Sequence, residues 1–292
     1  MAMPPKVTHT RLRFPLRPQR KPRLPVRRAF GQRPNADVRR SLPGKVVCVM
    51  PARNAVRTLE RTVHAIPPEW VDEIVLVDDG SSDGTVELAQ RLPVRVIRHP
   101  HNAGYGANQK TCYLEALKLD ADAVVMLHPD GQYEPSLIGA MVQPILAGEA
   151  DLVLGSRLLR PGMARANGMP LWKLVANRVL TTFQNTVMGT DLTDAHTGYR
   201  AYSKRLLLTV PWLRNALDFS FDAELLYQAA HFGMRITEVP ARGRYFEDAS
   251  SVGFRTGSVY GIKTVWAGIR LVLHRTGVVP CRKFTREPVR QS

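Results

Sequence analysis

Glu73-Ile74-Val75-Leu76-Val77-Asp78-Asp79-Gly80-Ser81-Ser82-Asp83-Gly84-Thr85 is an apolar run that stops on paired carboxylates and a glycine. Continuous apolar residues, rather than alternating ones, mark a strand buried on both faces. The carboxylates, serines and glycines that follow suit a turn, and helical spacing begins at Thr85. This is one β-turn-α unit. Taken alone, Asp78-Asp79-Gly80 reads as well as a turn with a helix cap as it does as a ligand loop.

Outward from this unit the pattern repeats. Upstream, residues 46–50 form an apolar run ending at Pro51, and residues 55–66 have helical spacing closed by Pro67-Pro68. Downstream, helices are expected over 85–92, 106–119 and 135–146, and strands over 94–97, 123–127 and 152–154. Short buried runs alternating with helices predict an α/β fold, a Rossmann-like and mostly parallel sheet with helices on both faces. The second half is less regular, with helices over 171–188 and 222–231 and strands over 199–202 and 234–239. The helix over 171–188 has an apolar face and the bases Lys173 and Arg178. A C-terminal amphipathic helix over 259–273 puts Ile262, Val265, Trp266, Ile269, Val272 and Leu273 on one stripe, with Lys263, Arg270 and His274 off it. That stripe suits packing on the core and a membrane interface equally, with Trp266 as anchor in the second case.

The net charge of +16 is concentrated at one end. Residues 1–44 hold 12 Lys and Arg against one acid, Asp37, together with 8 of the 22 prolines. Without apolar periodicity they are expected to form a disordered basic tail. The remainder is only mildly basic, so no nucleic-acid partner is expected. No stretch reaches the roughly 18 apolar residues of a membrane span, and no apolar segment follows the N-terminal bases as in a secretory signal. Cys48, Cys112 and Cys281 are too scattered for a zinc knuckle or a disulfide framework. Three segments result: the tail 1–44, a catalytic domain 45–250, and a C-terminal helix with basic tail 251–292. The domain is expected in the cytoplasm, with peripheral contact at the membrane face, and the oligomeric state is left open.

In an open α/β sheet ligands bind beyond the carboxyl ends of the strands. Four polar clusters fall there: Pro51-Ala52-Arg53-Asn54, the 78–85 turn, His101-Asn102-Ala103-Gly104-Tyr105-Gly106-Ala107 and His128-Pro129-Asp130-Gly131-Gln132. Carboxylates can hold Mg²⁺ or Mn²⁺. A glycine turn at a helix start can offer N–H groups to an anion, and Arg53 and Lys110 can add fixed positive charge. Together they suit a nucleoside diphosphate. The dinucleotide fingerprint fails, because Pro-Ala-Arg-Asn stands where its glycines belong, and there is no Walker lysine motif or H-E-x-x-H.

These loops, with Ala150-Asp151-Leu152-Val153-Leu154-Gly155-Ser156-Arg157, Thr193-Asp194-Ala195-His196-Thr197-Gly198-Tyr199-Arg200, residues 221–229 and Glu238-Val239-Pro240, resemble family 2 glycosyltransferases of GT-A fold, close to the dolichol- and polyprenyl-phosphate sugar synthases. The resemblance covers about residues 45–251 and implies inverting transfer of a sugar from a UDP- or GDP-sugar to a polyprenyl or dolichyl phosphate. It implies that Pro51, Arg53 and Asp79 line the nucleoside pocket with Val77 beneath. It makes Asp130, followed by Gln132, the retained acid of the metal-binding D-x-D loop, and puts Arg157 near the sugar or diphosphate. Asp194 and Arg200 become the acidic and basic pair by the acceptor, and Asp194 the first candidate base for a hydroxyl acceptor. Asp222 and Glu224 lie behind it.

The departures from the family pattern are specific. His128 replaces the first D-x-D carboxylate, either as a ligand suited to Mn²⁺ or as a non-ligating neighbour. The Ser-Lys of the mannose synthases' acceptor loop falls on Ser251-Val252, so Arg242 or Arg244 would have to restore the charge. Two other readings stay open: a glycan or lipid-linked hydroxyl as acceptor, and a non-catalytic nucleotide-sugar binder. A nucleotidyltransferase is disfavoured, since its G-x-G-T-R loop is absent.

Overall fold

The computed structural model describes residues 26–28, 39, 41–243 and 254–286. Its strands are β1 (Arg27–Arg28), β2 (Val46–Ala52), β3 (Glu73–Asp78), β4 (Arg95–Arg98), β5 (Ala123–Met126), β6 (Leu152–Ser156), β7 (Arg200–Ser203) and β8 (Ile236–Pro240). They form one sheet in the order β1-β8-β6-β7-β5-β2-β3-β4. Only β7 runs against its neighbours, β5 and β6. The helices are α1 (Leu59–His64), α2 (Thr85–Ala89), α3 (Tyr105–Lys118), α4 (Ile138–Leu146), α5 (Met163–Ala166), α6 (Leu171–Met188), α7 (Lys204–Thr209), α8 (Ser220–His231) and α9 (Phe254–Arg275).

The continuous apolar runs have the expected consequence. Every residue of β2 is buried, and its side chains alternate between two cores. Val47 and Val49 pack with Val75 and Val77 of β3, Cys112 and Tyr113 of α3, and Leu225 and Leu226 of α8. Val46, Cys48 and Met50 face the other way, onto Leu59 and Val63 of α1 and Ile138, Met141 and Val142 of α4. The result is a three-layer α/β sandwich with β2 at its centre.

The α7 helix was not expected. It follows β7 directly, with no glycine or proline between them, and its start signal is Ser203, whose side chain accepts from the Leu206 N–H. The tail expectation needs a correction at two points. Arg27–Arg28 add an edge strand to β8, and Arg39 donates to the Leu42 and Gly44 carbonyls and pairs with Asp72. Most of the remaining tail, Arg244 and residues 287–292 lie outside the described residues.

Two helices are inside out. On α9 the core-facing residues are Thr264, Ala267 and Leu271, while Ile262 is 71% and Trp266 55% exposed, with Ile269 and Val272 also exposed. The apolar stripe read from the sequence therefore points away from the protein. On α6 the buried residues are largely polar, Asn177, Thr181 and Gln184 beside Met188. Leu171, Trp172, Val175 and Val179 are exposed instead. Exposed apolar residues grouped on neighbouring helices mark an interaction surface rather than scattered surface chemistry. Among the described residues no helix is long and apolar enough to cross a membrane.

Candidate active site

The parallel strands β2, β3 and β5 deliver their carboxyl-end loops to one cleft of about 2240 Å³. Pro51, Arg53, Asp79, His128, Asp130, Gln132, Arg157, Arg200 and Asp222 all line it. The loops are bound to each other first. Asn54, at φ 50°, accepts from the Ser82 N–H, and its own N–H donates to Ser81 Oγ. Asp79 accepts from the N–H groups of Ala103 (2.8 Å) and Gly104 (3.0 Å) and lies 2.9 Å from His99 Nδ1. The other nitrogen of His99 lies 2.9 Å from Thr111 Oγ1.

The glycine turn before α3 has a structural task. A Cβ on Gly104 would sit 2.6 Å from the Leu217 carbonyl oxygen, and one on Gly106 2.4 Å from that of Ala216. The Gly106 N–H donates to Leu217. Of the N–H groups this turn was expected to offer to an anion, those of Ala103, Gly104 and Gly106 already have acceptors within the fold.

Five of the described predicted site residues fall outside the cleft lining: Val77 and Asp194, buried behind it, and Lys110, Glu224 and Arg242. Lys110 donates to the Asn215 carbonyl on the far side of α3, where burial and then Lys283 lower its ammonium pKa. Glu224 accepts from the Ala216 N–H and pairs with Lys283. Arg242 is exposed beyond the cleft. These are corrections of placement: among the described residues Lys110, Glu224 and Arg242 do not line the cleft. Val77 lies in the core beneath the site, and its carbonyl accepts from Asn108 Nδ2 at 2.9 Å.

Asp130 forms a tight turn in which its Oδ1 accepts from the Gln132 N–H at 2.9 Å, with Gly131 at φ 72°. Among the described residues no three His, Cys, Asp or Glu side chains form a group able to hold a metal ion. His128 instead stacks on Tyr105, with ring centroids 5.7 Å apart and planes 15° from parallel. The Tyr105 hydroxyl donates to Asp222 Oδ2 at 2.8 Å, and Gln109 donates to Oδ1 at 3.2 Å. Burial and the Asp222 charge raise the Tyr105 pKa, so the phenol stays protonated.

The Asp194 expectation also changes. Its carboxylate is wholly buried and accepts from Arg157 Nε (2.7 Å), Arg157 Nη2 (2.9 Å) and Asn177 Nδ2 (2.7 Å). Burial opposes its charge most strongly, but the Arg157 charge and the hydrogen bonds from Arg157 and Asn177 together outweigh burial and hold the carboxyl well below the usual carboxylate range. A carboxylate so held is a poor proton acceptor, so its task is to fix Arg157. Arg200 is buried too, donating to the carbonyls of Thr197, Asp222 and Ala195. Burial works against its charge, and Asp222 together with Tyr202, Tyr260 and Tyr105 more than compensates. It braces the cleft floor instead of reaching a ligand.

Three residues carry more than their sequence reading assigned. Tyr105 joins His128 to Asp222. His196, read as a core or surface histidine, lines the cleft and places Nδ1 2.8 Å from the Tyr260 hydroxyl of α9. Burial pushes its pKa down to about 4, so it is neutral near pH 7. Lys173 at the start of α6 lines the cleft beside Leu171, Trp172 and Val175.

A model for glycosyl transferase family 2 matches residues 47–210. A UDP-N-acetylglucosamine–dolichyl-phosphate N-acetylglucosaminyltransferase of Methanococcus voltae is 29% identical, over 80% of this chain and 97% of its own. A polyprenol monophosphomannose synthase of Mycolicibacterium smegmatis is 31% identical, over 62% and 68%. Among solved structures, glucosyl-3-phosphoglycerate synthase of Mycobacterium tuberculosis, in complex with Mn²⁺, UDP and phosphoglyceric acid, superposes with a TM-score of 0.62. It is 22% identical, over 88% of each chain, which establishes the GT-A fold. With the family match spanning more than half of its length, the chain belongs to glycosyl transferase family 2.

Proposed function

We propose that this protein moves a sugar from a nucleoside diphosphate donor to a polyprenyl or dolichyl phosphate, with inversion at the anomeric carbon, while resting on a membrane surface. The observation that carries this reading is the continuity of the cleft. It starts among Pro51, Arg53, Asp79 and Asp130 and runs on to Leu171, Trp172, Val175 and Tyr260, where α6 and α9 turn apolar side chains outward. A polar donor and an amphipathic acceptor would meet at its middle. Of the three expected bases for a hydroxyl acceptor, Asp194 and Glu224 are committed to cations, and Asp222 in the cleft accepts from Tyr105 and Gln109. A phosphate monoester is already ionised near neutral pH and needs no strong base. The names of the two relatives, which specify dolichyl phosphate and polyprenol, support the same acceptor class.

In this reading Pro51, Arg53 and Asp79 bound the nucleoside pocket, and Arg157 is the fixed cation near the diphosphate. Asp130 supplies a hard oxygen suited to Mg²⁺ or Mn²⁺, and the remaining ligands would come from the diphosphate and water. Such a cation neutralises charge on the departing diphosphate. The acceptor phosphate would attack opposite that leaving group, held in line by the cleft walls.

The test is release of nucleoside diphosphate from a panel of UDP- and GDP-sugars, with Mn²⁺ or Mg²⁺, with and without polyprenyl phosphate. Lipid-stimulated release from one donor is the expected result. Release that ignores the lipid moves the acceptor to a hydroxyl, and no release or donor binding removes the catalytic reading.

The occupant of the outward α6 and α9 faces is taken to be an anionic bilayer, because the exposed Arg178 and Arg275 flank the apolar residues with positive charge. Full-length protein is expected to float with vesicles containing anionic lipid. Joint replacement of Trp172 and Trp266 with serine should weaken that binding by about tenfold or more. Equal flotation of the double variant would assign these faces elsewhere.

A further inference from the structure

The two halves of α9 are held differently. Its second half buries Thr264, Ala267 and Leu271 against the body of the protein. Its first half lines the cleft with Gly257, Ser258, Tyr260 and Gly261, and leaves Val259 52% and Ile262 71% exposed. This half is tied to the body through Tyr260, whose hydroxyl lies 2.8 Å from His196 Nδ1, and through Lys263, which pairs with Asp218. Resting on the reading that the outward face of α9 lies on a bilayer, we propose that Tyr260 and Lys263 are positioning residues: they carry the seating of α9 to two separate loops of the cleft, so that the membrane surface itself holds the site in its working form.

The first tether ends at Arg157. The His196 and Tyr260 rings meet edge to face, with centroids 5.5 Å apart and planes at 82°. Burial pushes the imidazole down to about 4 and the phenol up to about 12, so both are neutral near pH 7. His196 Nε2 is buried with no partner among the described residues, so the bond to Tyr260 is what orients the ring. The His196 N–H donates to Asp194 Oδ1 at 3.3 Å, and its carbonyl accepts from Arg157 Nη2 at 3.1 Å. A shift of the ring is therefore passed on to the carboxylate and guanidinium beside it.

The second tether ends at the glycine turn before α3. Asp218 accepts from the Ser220 N–H at 2.9 Å. Beside it, the Leu217 carbonyl accepts from the Gly106 N–H at 2.8 Å, and the Phe219 ring centre lies 4.5 Å from that of Tyr105. Lys263 thus holds the loop against which Tyr105 rests. An ion pair as exposed as Lys263–Asp218 is weak in water and holds a helix poorly by itself. The apolar stripe faces a bilayer only while Tyr260 and Lys263 face the protein. Burial of Val259 and Ile262 in hydrocarbon therefore favours the tethered position. A surface shifts an equilibrium only through such a difference between two states.

The test is hydrogen exchange of the full chain, free and bound to vesicles of phosphatidylcholine and phosphatidylserine, beside flotation and lipid-stimulated release of nucleoside diphosphate. Vesicles should slow exchange about fivefold or more in residues 194–198 and 216–221. Tyr260→Phe removes one hydroxyl and should abolish the slowing in 194–198 alone. Lys263→Met keeps the stem and should abolish it in 216–221 alone, with Lys263→Arg restoring it. Both variants should still float, and each should lose about tenfold in lipid-stimulated release. Melting curves will show that they are folded. A merely structural role would speed exchange equally with and without vesicles, and that result overturns the inference. So does unchanged wild-type exchange on vesicles that capture the protein, which leaves the bilayer reading intact. If wild-type protein does not float, the bilayer reading and this inference fall together. If it floats with the expected protection yet releases no nucleoside diphosphate from any donor, the transfer reading falls and the link between α9 and the cleft stands.

Discussion

Asp130→Ala is expected to lower metal-dependent release of nucleoside diphosphate by about 1000-fold or more, equivalent to about 4 kcal/mol of transition-state stabilisation. One carboxylate carries so much because the usual second acid of its loop is His128, whose ring stacks against Tyr105. The Asp130 turn needs only a hydrogen-bond acceptor for the Gln132 N–H, which an amide provides as well as a carboxylate. Asp130→Asn therefore separates the two tasks. It should keep the turn and the melting temperature, yet be nearly as inactive as Asp130→Ala. The check is a rate titration in Mn²⁺ beside Mn²⁺ binding in the presence of UDP, followed by electron paramagnetic resonance. Asp130→Asn with near wild-type rate at saturating metal would show that the carboxylate charge is not required. His128→Asp probes the same point from the other side. A second carboxylate in the loop should tighten Mn²⁺ binding if its side chain can reach the ion, and should cost the Tyr105 stacking in any case.

The sheet was legible because buried parallel strands need unbroken apolar runs, and the chain supplies them at β2, β3 and β5. The α6 boundaries were legible too, since Pro170 precedes the helix and Gly189 closes it in the left-handed conformation. Which loops meet followed from the sheet topology. Which side chains within them face the ligand did not. Tyr105 and Lys110 stand five residues apart on α3, on different sides of the helix, so one enters the cleft and the other caps the loop before α8. Nothing local to Lys110 tells which face is which. Asp194 was legible as a site residue, but its partner Arg157 lies 37 residues away and only the fold brings them together. The outward stripe of α9 was legible as a stripe; its direction depends on Thr264, Ala267 and Leu271, small or ordinary residues that a sequence pattern ranks below Trp266.

The second large effect concerns Asp194. Removing one partner of a buried ion pair leaves the other charge uncompensated, at a cost of about 3–5 kcal/mol. Asp194→Asn should cost at least that, because the amide turns an N–H toward the Arg157 donors. For a domain of this size the melting temperature should fall by about 10 °C. The pH dependence follows from the sign of the shift. The folded pKa of Asp194 is depressed, so its stabilisation is complete above the unfolded value near ~3.9 and is lost as pH falls through the folded value below it. Wild-type protein should therefore lose this stabilisation in acid, while Asp194→Asn shows none of it to lose. Activity should drop at least about 100-fold, because an unanchored Arg157 no longer presents fixed charge to the cleft. Arg157→Met combined with Asp194→Leu tests the attribution: with both charges gone, much of the stability should return and the activity should not. If Asp194 were instead a general base, Asp194→Asn would melt within a degree or two of wild type and lose rate alone, with an acid limb vanishing from the pH–rate profile. The five hydrogen bonds that bind this carboxylate to the Arg157 side chain and N–H, to Asn177 and to the His196 N–H favour the first outcome.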